Sequence, residues 1–247
     1  MTSHPNRLRS NDYMECIPMT VKQSLLGLAV LAASSTALAV PVTTNYTAGT
    51  AYTTTGLASY STGAYDMEGL SITAQFSNGT TDTAALNGSG SASGVGWSVS
   101  FSGATTFNDP WTVNATNTSG SLIEQLIFSG ASGDTVFDVL GGGEYTPGSA
   151  NGRAIDNASY SGSTVSDVTA TYTNQVSLNG TFFGDLYETL ILSFNQGLAS
   201  NDSFSFVTDT DNSAIEGDIR VDVPEPGTLA LLGLGLVGLT AARKRSA

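Results

Sequence analysis

The chain has 247 residues, a formal net charge of −13, one histidine and one cysteine. Between positions 40 and 223 it holds 18 acidic residues against two arginines, Arg153 and Arg220, and no lysine, histidine or cysteine. That balance excludes nucleic-acid binding, which needs cations at the phosphates, and disulfides, thiolate or imidazole zinc sites, and a serine nucleophile served by His or Lys.

Residues 1–18 read as an extension upstream of the true start. Met19-Thr-Val-Lys22, the apolar run Leu25–Leu31 and the small-residue end Ala37-Leu38-Ala39 then predict a signal peptide over 19–39, cut by signal peptidase after Ala39. Cys16 and His4 leave with it.

Residues 40–222 predict an all-β ectodomain. Trp97, Val99 and Phe101 share one strand face and Ser98 and Ser100 the other; Leu190, Leu192 and Phe194 repeat the pattern, as do Phe204 and Phe206. Val168 to Leu178 reads as one long strand with Asn174 as a local exception, and Ser121–Phe128 favours a strand through its isoleucines. Asn78-Gly79, Asn87-Gly88, Asn151-Gly152 and Asn179-Gly180 predict turns, because Asn and Gly accept positive φ cheaply. The spacing fits about ten to twelve strands in one antiparallel β-sandwich of jelly-roll or Ig-like type.

Within this body the chemistry is carried by oxygen. Asp209, Asp211 and Asn212, with Asp202 or Asp218 near in sequence, form a candidate calcium loop after the Phe204–Val207 strand, although the EF-hand spacing and its glycine are missing. Asp185/Glu188 and Asp66/Glu68 are the carboxylate pairs a glycoside hydrolase would need, and solvated surface charge is the simpler reading of both. Eight Asn-x-Ser/Thr triplets occur, and Asn78, Asn87, Asn114 and Asn179 are candidate glycan acceptors. Trp97 alternates with core positions; Trp111, after Asp109-Pro110, fits either a core or an exposed sugar-stacking platform.

The end of the chain is a different material. Val223-Pro224-Glu225-Pro226 is stiff and short of amide donors. Gly227–Ala242 is uncharged, spans about 24 Å at 1.5 Å per residue, and predicts a membrane helix over 228–242. Arg243-Lys244-Arg245 follows as a cytoplasmic anchor. Gly233, Gly235 and Gly238 spell a dinucleotide fingerprint, but no strand precedes them and no acidic residue follows at the required distance, so they read as small residues of a membrane helix.

Val-Pro-Glu-Pro, apolar stretch and basic tail, in that order over 223–247, resemble the PEP-CTERM sorting signal of exported proteins of Gram-negative bacteria. The resemblance implies processing by an exosortase near Pro224–Pro226. It also implies transient anchoring in the inner membrane with the body outside, and a final place at the cell surface or beyond, among exopolysaccharide and biofilm components. The expectation is a non-enzymatic structural or adhesive protein without a cofactor, calcium being the one candidate ion. A carbohydrate-binding jelly-roll module is the alternative, and a carboxylate glycosidase the third reading.

Overall fold

A computed structural model describes residues 37–58, 61–117, 120–139, 146–147, 152–162 and 164–222. Residues 1–36, Asn151 of one predicted turn, and the predicted tail from Val223 onward lie outside them.

Period-two alternation becomes strand wherever it is strong. In chain order the strands are β1 (Leu38–Ala39), β2 (Val42–Tyr46), β3 (Tyr52–Thr54), β4 (Ser71–Phe76), β5 (Thr81–Ala85) and β6 (Ser91–Gly94). They continue with β7 (Trp97–Phe101), β8 (Trp111–Ala115), β9 (Ile123–Ser129), β10 (Thr135–Asp138) and β11 (Asp156–Ser161). The last five are β12 (Val168–Leu178), β13 (Leu186–Leu198), β14 (Ser203–Val207), β15 (Thr210–Asn212) and β16 (Arg220–Val221). The only helical pieces among the described residues are two three-residue 3₁₀ turns.

The strands form two largely antiparallel sheets. The smaller runs β1-β11-β14-β8-β7-β6, and the larger β16-β3-β12-β13-β9-β4-β5, with β2 also on β12 and with β10 joining β13 to β15. Their inner faces share one core. Trp111 of the smaller sheet meets Phe128 of the larger edge-on at 5.8 Å and lies parallel to Phe206 at 6.3 Å; Phe194 meets Phe204 at 5.4 Å. Such pairs add a directional term to apolar burial. A second cluster of Val136, Val176, Leu186 and Ile219 sits apart from this core and packs against Tyr52 and Leu57.

Three segments tie the sheets together. The chain pairs with β11 through β1, turns at Pro41, and pairs with β12 through β2, so one short strap serves both sheets. Thr208 and Asp209 carry the chain from β14 in one sheet to β15 in the other. Asp82 of β5 accepts hydrogen bonds from Val95 N at 2.6 Å and Trp97 Nε1 at 2.9 Å.

The structure departs from expectation in two respects. There are sixteen strands among the described residues, because β1, β3, β15 and β16 are only two or three residues long, too short to show a period. The pairing is also not wholly antiparallel: β12 runs parallel to β2 over Val168–Tyr172 and to β3 over Val176–Leu178. Asn174 stands where one parallel neighbour gives way to the other. Its φ is +64°, its amide donates to Glu188 Oε2 and Thr189 Oγ1, and its Oδ1 accepts from Thr50 N. The predicted Asn179-Gly180 turn is present, with φ of +51° and +79°, both positive as a type I′ hairpin requires.

Candidate functional site

The root of the C-terminal segment is built by β3 and the residues just before β16. Arg220 and Val221 pair with Thr53 and Tyr52, and Asp222 N donates to Ala51 O at 2.8 Å. Asp218 locks this strand in place. Its Oδ2 accepts from Thr55 N at 2.5 Å, Thr55 Oγ1 at 2.6 Å and Thr54 Oγ1 at 3.0 Å, while Oδ1 pairs with Arg220. Burial opposes ionisation, but the Thr55 hydroxyl and amide, Arg220 and Thr54 together hold the Asp218 carboxyl at about 2. Asp222 is the last described residue. The predicted processing residues Val223, Pro224, Glu225 and Pro226, the helix 228–242 and Arg243, Lys244 and Arg245 lie outside the described residues. Among those described, no helix is long and apolar enough to cross a membrane.

At the other terminus, Ala37 and Ala39 of the predicted leader site are exposed. Leu38 and Ala39 nonetheless pair with Tyr160 and Ser159, and Val40 N donates to Ala158 O at 3.2 Å. The bond expected to be cut, after Ala39, lies at the end of β1.

The candidate calcium residues do not converge. The expected turn is in part a strand: Thr210–Asn212 is β15, whose Asp211 and Asn212 stand opposite Val136 and Thr135 of β10. The sheet change takes only the two residues Thr208 and Asp209, which leaves no room for a wrapping loop. Asn212 directs its amide at the carbonyls of Asp66 and Asp134. Asp209 is buried beside Thr106 and Asp138; burial first, and then the Asp138 charge, push its carboxyl up to about 7. Among the described residues no group of three or more His, Cys, Asp or Glu side chains is placed to hold a metal ion.

Three of the four carboxylates considered for hydrolysis, Asp185, Glu188 and Asp66, have structural partners. Asp185 accepts from Thr146 N at 2.7 Å and Thr146 Oγ1 at 2.6 Å, and Glu188 from Asn174 and Thr189. Asp66 accepts from Gly63 N at 2.9 Å. Asp202, buried near the start of β14, accepts from Tyr160 OH at 2.6 Å and Ala199 N at 2.9 Å. Both tryptophans are core residues, at 1% and 0% exposure for Trp97 and Trp111.

Of the candidate glycan acceptors, Asn78, Asn87 and Asn179 are exposed in turns. Asn78 Oδ1 accepts from Thr80 N, Asn87 Oδ1 from Ser89 N and Ser91 N, and Asn179 Nδ2 donates to Thr55 O. Asn114 differs: it sits in β8 between Ser98 and Ser203 of the flanking strands, half-buried. Sequence reasoning did not single out Thr55 or Asp138 as site residues. Thr55 reaches Asp218 across 163 positions, and no local signal marks that pairing.

The described residues form an acidic all-β body, and the C-terminal segment of the sequence begins where they end, at Asp222. That segment matches a known family model: residues 222–245 are a PEP-CTERM protein-sorting motif. The chain therefore carries a PEP-CTERM sorting signal, which implies an exported, membrane-transiting protein processed by an exosortase. No curated protein and no solved structure matches the chain.

Proposed function

We propose that the protein is a non-enzymatic structural or adhesive component of the cell envelope or exopolysaccharide matrix. Its leader is removed by signal peptidase, its tail helix anchors it in the inner membrane with the body outside, and exosortase action then releases it to the surface. The observation that carries the reading is the sorting motif beginning at the point where β16 ends. The interior supports it: Asp185, Glu188, Asp202 and Asp218 accept hydrogen bonds that hold loops and strand ends, an architectural use of carboxylates. Burial of Trp97 and Trp111 disfavours a carbohydrate-binding module that stacks sugars on tryptophan.

The test uses the secreted protein and the matrix of the cells that make it. Co-sedimentation with the polysaccharide fraction, and no new reducing ends after prolonged incubation with that polysaccharide, are the expected results. Release of reducing ends, or recovery of the protein only from the soluble fraction, contradicts the reading.

A further inference from the structure

The outer face of the smaller sheet is a grid of neutral hydrogen-bonding groups in register across five strands. One row reads Ser159–Ser205–Thr112–Ser100–Ser91 from β11 to β6. The next reads Ser161–Ser203–Asn114–Ser98–Ser93. All ten positions are partly or fully exposed, and they alternate with the core residues of the same strands. Across these five strands neither row contains a charge, an aromatic ring or an aliphatic side chain; on β1 the first row ends at Ala39, opposite Ser159. The larger sheet differs on its outer face, where Ile127 and Ile191 stand between Thr73 and Thr171.

Such a face is uncommon on a body with 18 acidic residues and two arginines, 16 net negative charges by difference. We propose that it is a binding face for a neutral, hydroxyl-rich polysaccharide, an inference that rests on reading the protein as a matrix component. A serine or threonine hydroxyl can donate one hydrogen bond and accept others, as can each sugar hydroxyl; Ser205 Oγ already donates to Trp111 O at 3.0 Å and is left as an acceptor. Neighbouring strands are spaced about 4.8 Å apart and alternate residues about 6.8 Å apart along a strand, so the grid offers repeated contacts about 19 Å across. Other occupants fit less well. An apolar partner leaves desolvated hydroxyls without partners. An anionic polymer meets no cation on the face and the body's own negative field. A second copy brings a further 16 negative charges. No stacking platform is needed, because contact here comes from many weak hydrogen bonds, and affinity from their number.

The experiment is electrophoresis of the full secreted protein through native gels containing dextran, amylose or alginate, at low and high salt. Retardation by a neutral glucan that persists in salt, with none in alginate, is expected. The double variant Thr112→Glu/Ser100→Glu places carboxylates at the centre of one row and should weaken retardation by at least about tenfold. Ser98→Ala/Ser100→Ala removes hydroxyls without adding charge and should weaken it less. Thr73→Glu on the larger sheet should leave it unchanged, and an unaltered melting temperature shows that each variant is folded. Equal retardation of the grid variants, retardation by alginate alone, or none by either glucan overturns the proposal. So does a dimer in sedimentation that the same variants abolish, since it assigns the face to self-contact. Loss of the in vitro interaction with matrix co-sedimentation intact sinks only this face; loss of co-sedimentation sinks the matrix reading itself.

Discussion

Asp218 accepts hydrogen bonds from both the amide and the hydroxyl of Thr55, at 2.5 and 2.6 Å, and so fixes β16 to β3. Replacing it with alanine leaves the Thr55 amide and hydroxyl short of an acceptor, while the buried Thr54 hydroxyl keeps Gly56 O and Ser213 Oγ within reach. We expect Asp218→Ala to lower stability by about 1–3 kcal/mol and to release the Asp222 amide, which donates to Ala51 O, into fast hydrogen exchange. The carboxyl is held down at about 2 from an ordinary 3.8. Its contribution is therefore complete above 3.8 and lost as pH falls through 2. Acid unfolding curves of the wild type and Asp218→Asn should converge at the acid end, and curves that stay parallel contradict the assignment.

Asp209 has the opposite sign. Burial and the neighbouring Asp138 raise its carboxyl to about 7, so the folded state favours the protonated form. Stability from this group is complete below 3.8 and declines as pH rises to 7. Asp209→Asn keeps an acceptor for Thr106 Oγ1 and removes the titration. It should be more stable than the wild type at pH 8, and the gap should narrow steadily between pH 7 and pH 4. Chemical denaturation at four pH values reads this directly; a gap that does not vary with pH contradicts it.

Trp111 packs on Phe101 and Phe206 of its own sheet and meets Phe128 of the other, with no exposed surface. Trp111→Ala should cost about 3–5 kcal/mol, as large core truncations do. Trp111→Phe keeps a ring and removes an indole N–H that has no hydrogen-bond partner, so it should cost much less. Urea midpoints separate the two. A nearly neutral Trp111→Ala would remove Trp111 from the core.

Calcium should leave the melting temperature unchanged relative to EDTA. Asn212 directs its amide to backbone carbonyls, and Asp209 faces Thr106 and Asp138 and not its two sequence partners. A rise of several degrees in excess calcium contradicts this and returns these residues to the list of ligands.

Much of this architecture was legible in the sequence, and the gaps have a physical pattern. Alternation marked β7, β14 and the Leu190–Phe194 part of β13, where one face is dry and the other partly wet, and Asn179-Gly180 announced its turn through the φ values it tolerates. Period says nothing of partners, so the parallel pairing of β12 with β2 and β3 was invisible. Asp209-Thr-Asp-Asn212 reads as a turn by composition, yet β10 offers Thr135, Val136 and Phe137 as a ladder and tertiary pairing prevails. The hydroxyl grid was half legible: each strand showed its serines, but only the register aligned them. The C-terminal signal is a linear motif and was readable without any fold.

The most direct trial of the account transfers residues 222–247 to an unrelated exported reporter, in cells with and without exosortase. Intact mass of the mature reporter is the readout. A mass lacking Arg243–Arg245, seen only when exosortase is present, is the predicted result. A reporter with the same destination whether or not it bears those residues, and with the basic end still attached, contradicts it.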